Sequence, residues 1–427
     1  MSLQGLIDKP KELLELIDSC LKPKHHEKKI YGEVFTPMNI VLEMLDNLDK
    51  NYSKEYGRSI FTEREYKWFD PASGMGNFPV AIYLKLIEGL KEQIPDDKER
   101  KKHIIENMLY MSELNKKNVF ICQEIFNNNY KLNLNEGNTL ELDPNQEWGV
   151  DKFDIIIGNP PYQQKVGPKK TETLWDKFVN KSLTILQQKG YLVYIHPSGW
   201  RNIDGKFKNI QKEILSRDLQ YLEIHNEKDG LRTFSSETRY DWYILKNDKV
   251  DITNTIVKFQ DGTTTTINVN GLKFIPNGEY NKIMTMIAQS GEEKVHVIHD
   301  YSLYETRKSW MSRIKTEEYK YPCVYTVNSK SEIKYYYSSK QHGHYKIPKV
   351  IWSNGGNPGS YVDINGDYGL TQFAYAIVDK PENLQKIKEV FDCKEFRNLM
   401  ELSTFGQGHI NYKVISIFKK DFWKIFK

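Results

Sequence analysis

The stretch Asp154-Ile155-Ile156-Ile157-Gly158-Asn159-Pro160-Pro161-Tyr162 constrains this chain more than any other. Three consecutive isoleucines read as a strand buried on both faces, and Gly, Asn and two prolines end it at once. Asn159 to Tyr162 are then presented at a strand's carboxyl end, where open α/β sheets hold ligands. The prolines have no N–H to donate, so the carbonyls around them point outward as acceptors. Asn159 adds a side-chain carbonyl and Tyr162 a flat ring. Two acceptors beside a stacking face suit a planar group carrying an NH2, which describes a nucleobase or a carboxamide.

Upstream, the run from Lys67 to Phe78 passes from a short apolar strand (Trp68-Phe69-Asp70) through the small-residue loop Pro71-Ala72-Ser73-Gly74-Met75-Gly76. It enters a helical pattern with Val80, Ala81, Ile82, Leu84, Leu86 and Ile87. Such a strand, loop and helix open a Rossmann-type unit. Gly74 and Gly76 permit positive φ and close approach of a ligand, and the helix start offers N–H groups to a carboxylate. A dinucleotide would fit this opening as well as a nucleoside. The next strand, Met108 to Leu114, ends in Glu113, the position that meets ribose hydroxyls in such folds. Thr36 before Pro37 reads as an N-cap with proline at the first helical position, ahead of Ile40, Val41, Met44, Leu45 and Leu48. Further strands are expected at Gly190–Pro197, Tyr221–His225 and Trp242–Leu245, with a helix over Leu174–Leu186. His196 closes the first of these strands and reads as a backbone-satisfied histidine ahead of a substrate contact.

With 427 residues the chain has room for two domains. Cys20, Cys122, Cys323 and Cys393 are too scattered for zinc and read as reduced thiols. No apolar run reaches membrane-spanning length and no signal-peptide core is present, so a cytoplasmic protein is expected, with no membrane partner. An N-terminal helix over Lys11–Leu21 leads into a polar linker holding His25 and His26, giving a first segment of residues 1–30. Past Lys246 the texture changes: Asp261-Gly262, Asn270-Gly271 and Asn277-Gly278 read as hairpin turns, and a second, mixed α+β domain is expected over 272–427. Its charge differs too, with 20 basic against 13 acidic residues from Tyr301 onward and 41 against 44 before it. Arg307 to Lys349 holds 10 basic and 3 acidic residues among seven tyrosines, a candidate nucleic-acid surface.

Asn159-Pro160-Pro161-Tyr162 resembles motif IV of amino-methyltransferases that use S-adenosylmethionine to methylate adenine N6, cytosine N4 or a glutamine amide. Asp70-Pro71-Ala72-Ser73-Gly74-Met75-Gly76-Asn77-Phe78 resembles motif I of the N6-adenine enzymes, with Ser73 in place of the usual Cys and Pro79 in place of an aliphatic residue. Thr36-Pro37 is similar to motif X and Glu113 to the motif II acid, while Asn138 stands where motif III usually has Asp. Their order is that of gamma-class N6-adenine DNA methyltransferases with a C-terminal target-recognition domain, covering residues 31 to 245 specifically and the rest by texture. The resemblance implies an α/β, Rossmann-like S-adenosylmethionine-dependent methyltransferase domain over 31–271 and a DNA-binding domain over 272–427. It implies Thr36, Asp70, Ala72, Gly74, Gly76, Asn77, Phe78, Glu113, Leu114, Asn138, Thr139 and Asn159 as cofactor residues. Asn159, Pro160, Pro161 and Tyr162, with Phe234 as the motif VIII aromatic opposite Tyr162, would act on a base flipped from double-stranded DNA. No metal is implied. About 30 residues precede motif X, so a built-in nuclease is not expected; whether a separate restriction endonuclease of the same system is a partner stays open, and the enzyme is expected as a monomer. An RNA base methyltransferase, a protein glutamine methyltransferase and a catalytically dead binding module are the alternatives.

Overall fold

The computed structural model describes Ile7 and residues 35–126, 130–167, 170–299, 303–353, 359–405 and 410–426. The expected N-terminal helix, the His25-His26 linker, Cys20, Gly355-Gly356 and Gly406–His409 lie outside them. Cys122, Cys323 and Cys393 are free thiols, and no helix among the described residues is long and apolar enough to cross a membrane. The chain divides into two compact units. One runs to Trp200 and resumes over Gly205–Leu272; the other takes Arg201–Asp204 and Lys273–Lys427.

In the first unit, helix α1 (Met38–Tyr56) precedes β1 (Trp68–Asp70), α2 (Asn77–Gly89), β2 (Leu109–Glu113), α3 (Lys116–Phe126), β3 (Asn133–Glu136) and β4 (Phe153–Gly158). A small hairpin, β5 (Gln163–Lys165) and β6 (Thr171–Thr173), leads to α4 (Trp175–Ile185) and β7 (Leu186–Pro197). Then come α5 (Lys208–Leu215), β8 (Arg217–His225), α6 (Glu227–Phe234), β9 (Tyr240–Lys249), β10 (Thr255–Lys258) and β11 (Thr264–Ile267). Nine strands form one sheet in the order β3-β2-β1-β4-β7-β9-β8-β10-β11. β1 pairs in parallel with both β2 and β4, so the chain reverses its direction of travel across the sheet between β1 and β4. That switch point opens a crevice at the strands' carboxyl ends. β9 runs antiparallel between β7 and β8. Ile155, Ile156 and Ile157 are fully buried in β4, as a strand covered on both faces requires.

Several local expectations needed correction. Pro37, not Thr36, is the N-cap of α1, and no side chain caps that end. Helices α5 and α6 were not anticipated, although Asn226 and Asp229 close a reciprocal capping box at the start of α6. Of the three hairpin turns only Asp261-Gly262 joins paired strands, β10 and β11. Asn277 is fully buried, accepting from Arg201 at 2.8 Å and donating through Nδ2 to the Thr404 carbonyl at 2.8 Å, so it ties three distant segments instead of turning a hairpin.

The second unit is mixed α+β. One antiparallel sheet joins β12 (His296–Ile298), β16 (Lys349–Ser353), β17 (Ser360–Asp363) and β19 (Ala374–Val378) in the order β12-β19-β16-β17. Another joins β13 (Met311–Ser312), β14 (Tyr321–Val327), β15 (Ile333–Ser338) and β18 (Gly369–Leu370) in the order β13-β15-β14-β18. Between β16 and β17 the fully buried Lys349 ammonium donates to Asp363 Oδ2 at 2.6 Å and to the His344 carbonyl at 2.9 Å. Asp363 also accepts the N–H groups of Asp367 and Tyr368. Burial holds the ammonium below the usual lysine range, opposed by Asp363. Because every donor and acceptor here is matched, deleting one partner strands a buried charge: Asp363→Ala should lower stability by about 3–5 kcal/mol in chemical denaturation.

Candidate active site

The loop between β1 and α2 is held from four sides. The Ala72 N–H reaches Asp70 Oδ1 at 3.0 Å, the Ser73 N–H reaches the Ser112 carbonyl at 3.1 Å, and the Gly74 N–H reaches Glu113 Oε2 at 2.8 Å. The Thr139 hydroxyl donates to the Pro71 carbonyl at 2.5 Å. Gly74 and Gly76 both lie at positive φ, 54° and 95°. A Cβ on Gly74 would come within 2.8 Å of the Phe35 ring. Asn77 at the start of α2 donates to the Thr36 carbonyl at 2.9 Å, which fastens the Phe35-Thr36-Pro37 segment against the loop.

These elements enclose a cavity of about 240 Å³ in the first unit. One wall is Thr36, Ala72, Gly74, Asn77 and Phe78; a second is Glu113, Leu114, Asn138 and Thr139; the third is Asn159 and Pro161 from the end of β4. Segments far apart in sequence thus converge at the switch point. Phe35, Ser73, Leu140, Gln164, Leu174 and Phe178 line it too and were not anticipated. The Tyr162 carbonyl accepts the Leu174 N–H at 3.1 Å, and Gln164 donates to Glu172 across the β5–β6 hairpin at 3.3 Å. The hairpin's position beside the cavity is a direct result of the chain's exit after Tyr162.

Asp70, Gly76, Pro160, Tyr162 and Phe234 are not among the lining residues. Asp70 lies beneath the loop, 1 % exposed, with Oδ2 unpartnered. Burial pushes its carboxyl up to about 8. A Cβ at Gly158 would stand 2.7 Å from Asp70 Oδ1, so glycine at the end of β4 is what lets the carboxyl in. Gly76 is the N-cap of α2, where positive φ turns the chain into the helix. Glu113 takes one backbone N–H on each oxygen, from Gly74 and from Asn115 at 2.7 Å. The Asn138 side chain is turned into its own bend, with Nδ2 donating to Glu141 at 2.7 Å and Oδ1 accepting the Leu140 N–H at 3.1 Å. The Thr36 hydroxyl is buried and unpartnered.

Beside the cavity, Tyr162 and Phe234 meet edge to face, centroids 6.3 Å apart at 84°. Their rings therefore stand nearly perpendicular, not as two parallel faces. Phe234 is itself backed edge-on by Tyr240 at 4.9 Å, which lies flat on His225 at 4.3 Å. Burial pushes the Tyr162 hydroxyl up, and the adjacent Asn159 side chain opposes that shift. His196 is fully buried, bonded to the Pro197 carbonyl and the Tyr243 hydroxyl and stacked on Trp175, with burial lowering it to about 4. It takes no part in the cavity. No group of His, Cys, Asp and Glu among the described residues could hold a metal.

The strand order, the glycine loop and the switch-point cavity define a Rossmann-like, doubly wound α/β fold with its ligand crevice at the switch point. Residues 79–230 match the family described as Eco57I restriction-modification methylase. The chain is 24% identical to an uncharacterized adenine-specific methylase of Mycoplasma pneumoniae over 50% of this chain and 64% of that one. It is 25% identical to the type II restriction enzyme and methyltransferase RM.Eco57I of Escherichia coli over 53% of this chain and 28% of that one. It spans less than two thirds of either relative. Among solved structures, a nuclease-deletion mutant of the type ISP restriction-modification enzyme LlaGI, in complex with a DNA substrate mimic, superposes with TM-score 0.53 at 13% identity, covering 92% of this chain and 54% of that one. The type IIL enzyme MmeI, in complex with DNA, gives 0.50 at 11% identity, covering 92% and 69%. The chain is therefore similar to a restriction-modification methylase family over part of its length and to an adenine-specific methylase.

Proposed function

We propose that this chain transfers a methyl group from S-adenosylmethionine to N6 of an adenine flipped out of double-stranded DNA. The observation that carries it is the meeting of Asn159 and Pro161 with the Gly74 loop around one cavity. The cofactor fits what the residues offer. The turn at Gly74 has no Cβ to block it, and the first turn of α2 presents N–H groups to a carboxylate. Glu113 ends β2 in the cavity wall, the position that meets ribose hydroxyls in such folds, while Leu114, Leu140, Pro161 and Phe178 supply apolar faces for a purine.

When bound, the cofactor supplies an electrophilic methyl carbon on a sulfonium. The chain's own residues do the rest. Base N6 inside a stacked pair is out of reach, so the base must be extruded. The Tyr162 ring stacks on it, and Phe234 closes from the other side once turned. Asn159 Oδ1 and the Pro160 carbonyl accept the two N6 protons, pulling the nitrogen toward tetrahedral geometry and stabilising the positive charge that develops on it. Holding both reactants in line lowers the barrier further, and the proton leaves to solvent. The second unit serves as the DNA-binding domain, and the cytoplasm is the working compartment.

A tritiated-methyl assay with duplex DNA, structured RNA and a protein mixture tests this. Label in N6-methyladenine of DNA supports it; label confined to RNA or to glutamine overturns it. Gly74→Val forces a side chain into the Phe35 ring at a positive φ, and should weaken S-adenosylmethionine binding by about tenfold or more in titration calorimetry.

A further inference from the structure

A second groove, of about 580 Å³, lies wholly within the second unit, with Arg307, Arg313, Tyr325, Tyr336 and Phe373 among its walls. Its floor is aromatic. Tyr325 lies at a register shift in β14, between Val324 and Thr326, and such a bulge re-aims a side chain out of the regular alternation. Its ring meets Tyr336 at 5.2 Å and Phe373 at 5.2 Å. Phe373 is 40% exposed, unusual for a phenylalanine with no cover over it.

The rim is cationic and braced. Arg313 donates through Nε to the Tyr336 hydroxyl at 2.6 Å, with its guanidinium 5.5 Å from the centre of that ring. This fixes the guanidinium and leaves its two terminal nitrogens to donate elsewhere. Arg307 is paired to Glu305 through Nε at 2.9 Å, so the two cations are not equivalent. Among the described residues Arg313 forms no ion pair. Gln372 and Thr306 exchange two hydrogen bonds, at 3.0 and 2.9 Å, which clamp the two edges of the groove together.

We infer that this groove contacts a base of double-stranded DNA, with Arg313 presenting a two-donor fork to the base edge and Phe373 and Tyr325 packing against its apolar part. The inference rests on the DNA reading above and adds to it the residue that reads sequence. A planar fork with paired donors matches the two acceptors of guanine in the major groove. The basic excess over Arg307–Lys349 supplies the charge complementarity a polyanion needs. An acidic peptide would use the charge without needing three aromatic rings beside it.

The test uses the full-length chain carrying Arg313→Ala, Arg313→Lys or Phe373→Ala, with Lys424→Ala as a control on the same unit. Binding of a short fluorescein-labelled duplex is read by anisotropy across a salt series, and modified adenines are mapped in DNA from cells expressing each form. Arg313→Ala and Phe373→Ala should weaken binding by about tenfold, with the salt slope unchanged in both because no phosphate contact is lost. Arg313→Lys keeps the charge and loses the fork, so it should relax the mapped site at one base position. Unchanged affinity and an unchanged mapped site in these variants, while the wild type methylates DNA, overturn the groove and leave the methyltransferase reading intact. A wild type that methylates no DNA but still binds S-adenosylhomocysteine overturns that reading instead. The groove is then judged by anisotropy alone, and preferential displacement of the duplex by RNA overturns it.

Discussion

Asn159→Ala should fold as the parent does, keep its affinity for S-adenosylhomocysteine within a few-fold, and transfer methyl groups about a hundred to a thousand times more slowly, the range measured when one preorganised polar group is removed from a reacting centre. The amine of a nucleobase is a weak nucleophile because its lone pair is spread into the ring. Acceptors on both N–H bonds oppose that delocalisation, and they matter most when the nitrogen becomes cationic, so the loss falls on the chemical step. Single-turnover kinetics at saturating cofactor and DNA isolate that step. Pro160→Ala offers the contrast, since the role assigned to Pro160 belongs to its backbone carbonyl, which alanine retains. It should cost much less than Asn159→Ala. Asn159→Asp keeps an oxygen at Oδ1 and should fall between the two. Near-normal single-turnover rates for a folded Asn159→Ala would remove Asn159 from the chemistry.

The contrast between Asn159 and Phe178 shows which parts of this site were legible in the sequence. Asn159 stands where a three-isoleucine strand breaks against two prolines, and periodicity and turn chemistry are enough to place it at a strand end. The glycine loop was legible for the same reason, a local change of texture between strand and helix. Phe178 instead belongs to the apolar stripe of α4, and nothing in a helical stripe says that one member faces a cavity and not the core. Gln164 and Leu174 reach the cavity through a hairpin whose pairing is tertiary. Asp70, which the resemblance put among the cofactor residues, is absent from the cavity lining and sits beneath the loop, where the glycine at 158 leaves room for its carboxyl. Short helices escaped notice where packing outweighed pattern. The Asn226–Asp229 spacing was the signal for α6. In the second unit, a bulge at Tyr325 and a buried pair between Lys349 and Asp363 depend on strand register, which alternation alone does not specify.

The displaced Asp70 has a thermodynamic consequence of its own. Its carboxyl is raised to about 8, first by burial and further by the neighbouring charge of Glu113, with the Ala72 N–H opposing both. An unfolded aspartate titrates near the ordinary value of about 3.9. Between those two values the folded protein holds a proton that the unfolded chain has released, so folding takes up a proton and stability falls as pH rises. Below about pH 4 both states are protonated and the slope vanishes; above about pH 8 both are ionised and it vanishes again. Across that window the loss from this one group is on the order of 5 kcal/mol. Asp70→Asn keeps the acceptor for the Ala72 N–H and removes the titration. Its stability should therefore lack this one group's fall across the window, exceeding that of the parent by several kcal/mol at pH 8 while differing little at pH 4. Urea denaturation of both proteins at half-unit intervals of pH measures the difference between the two slopes. Parallel curves would mean that Asp70 is ionised in the folded protein near neutrality and that its buried, unpartnered Oδ2 is stabilised by a contact other than the proton.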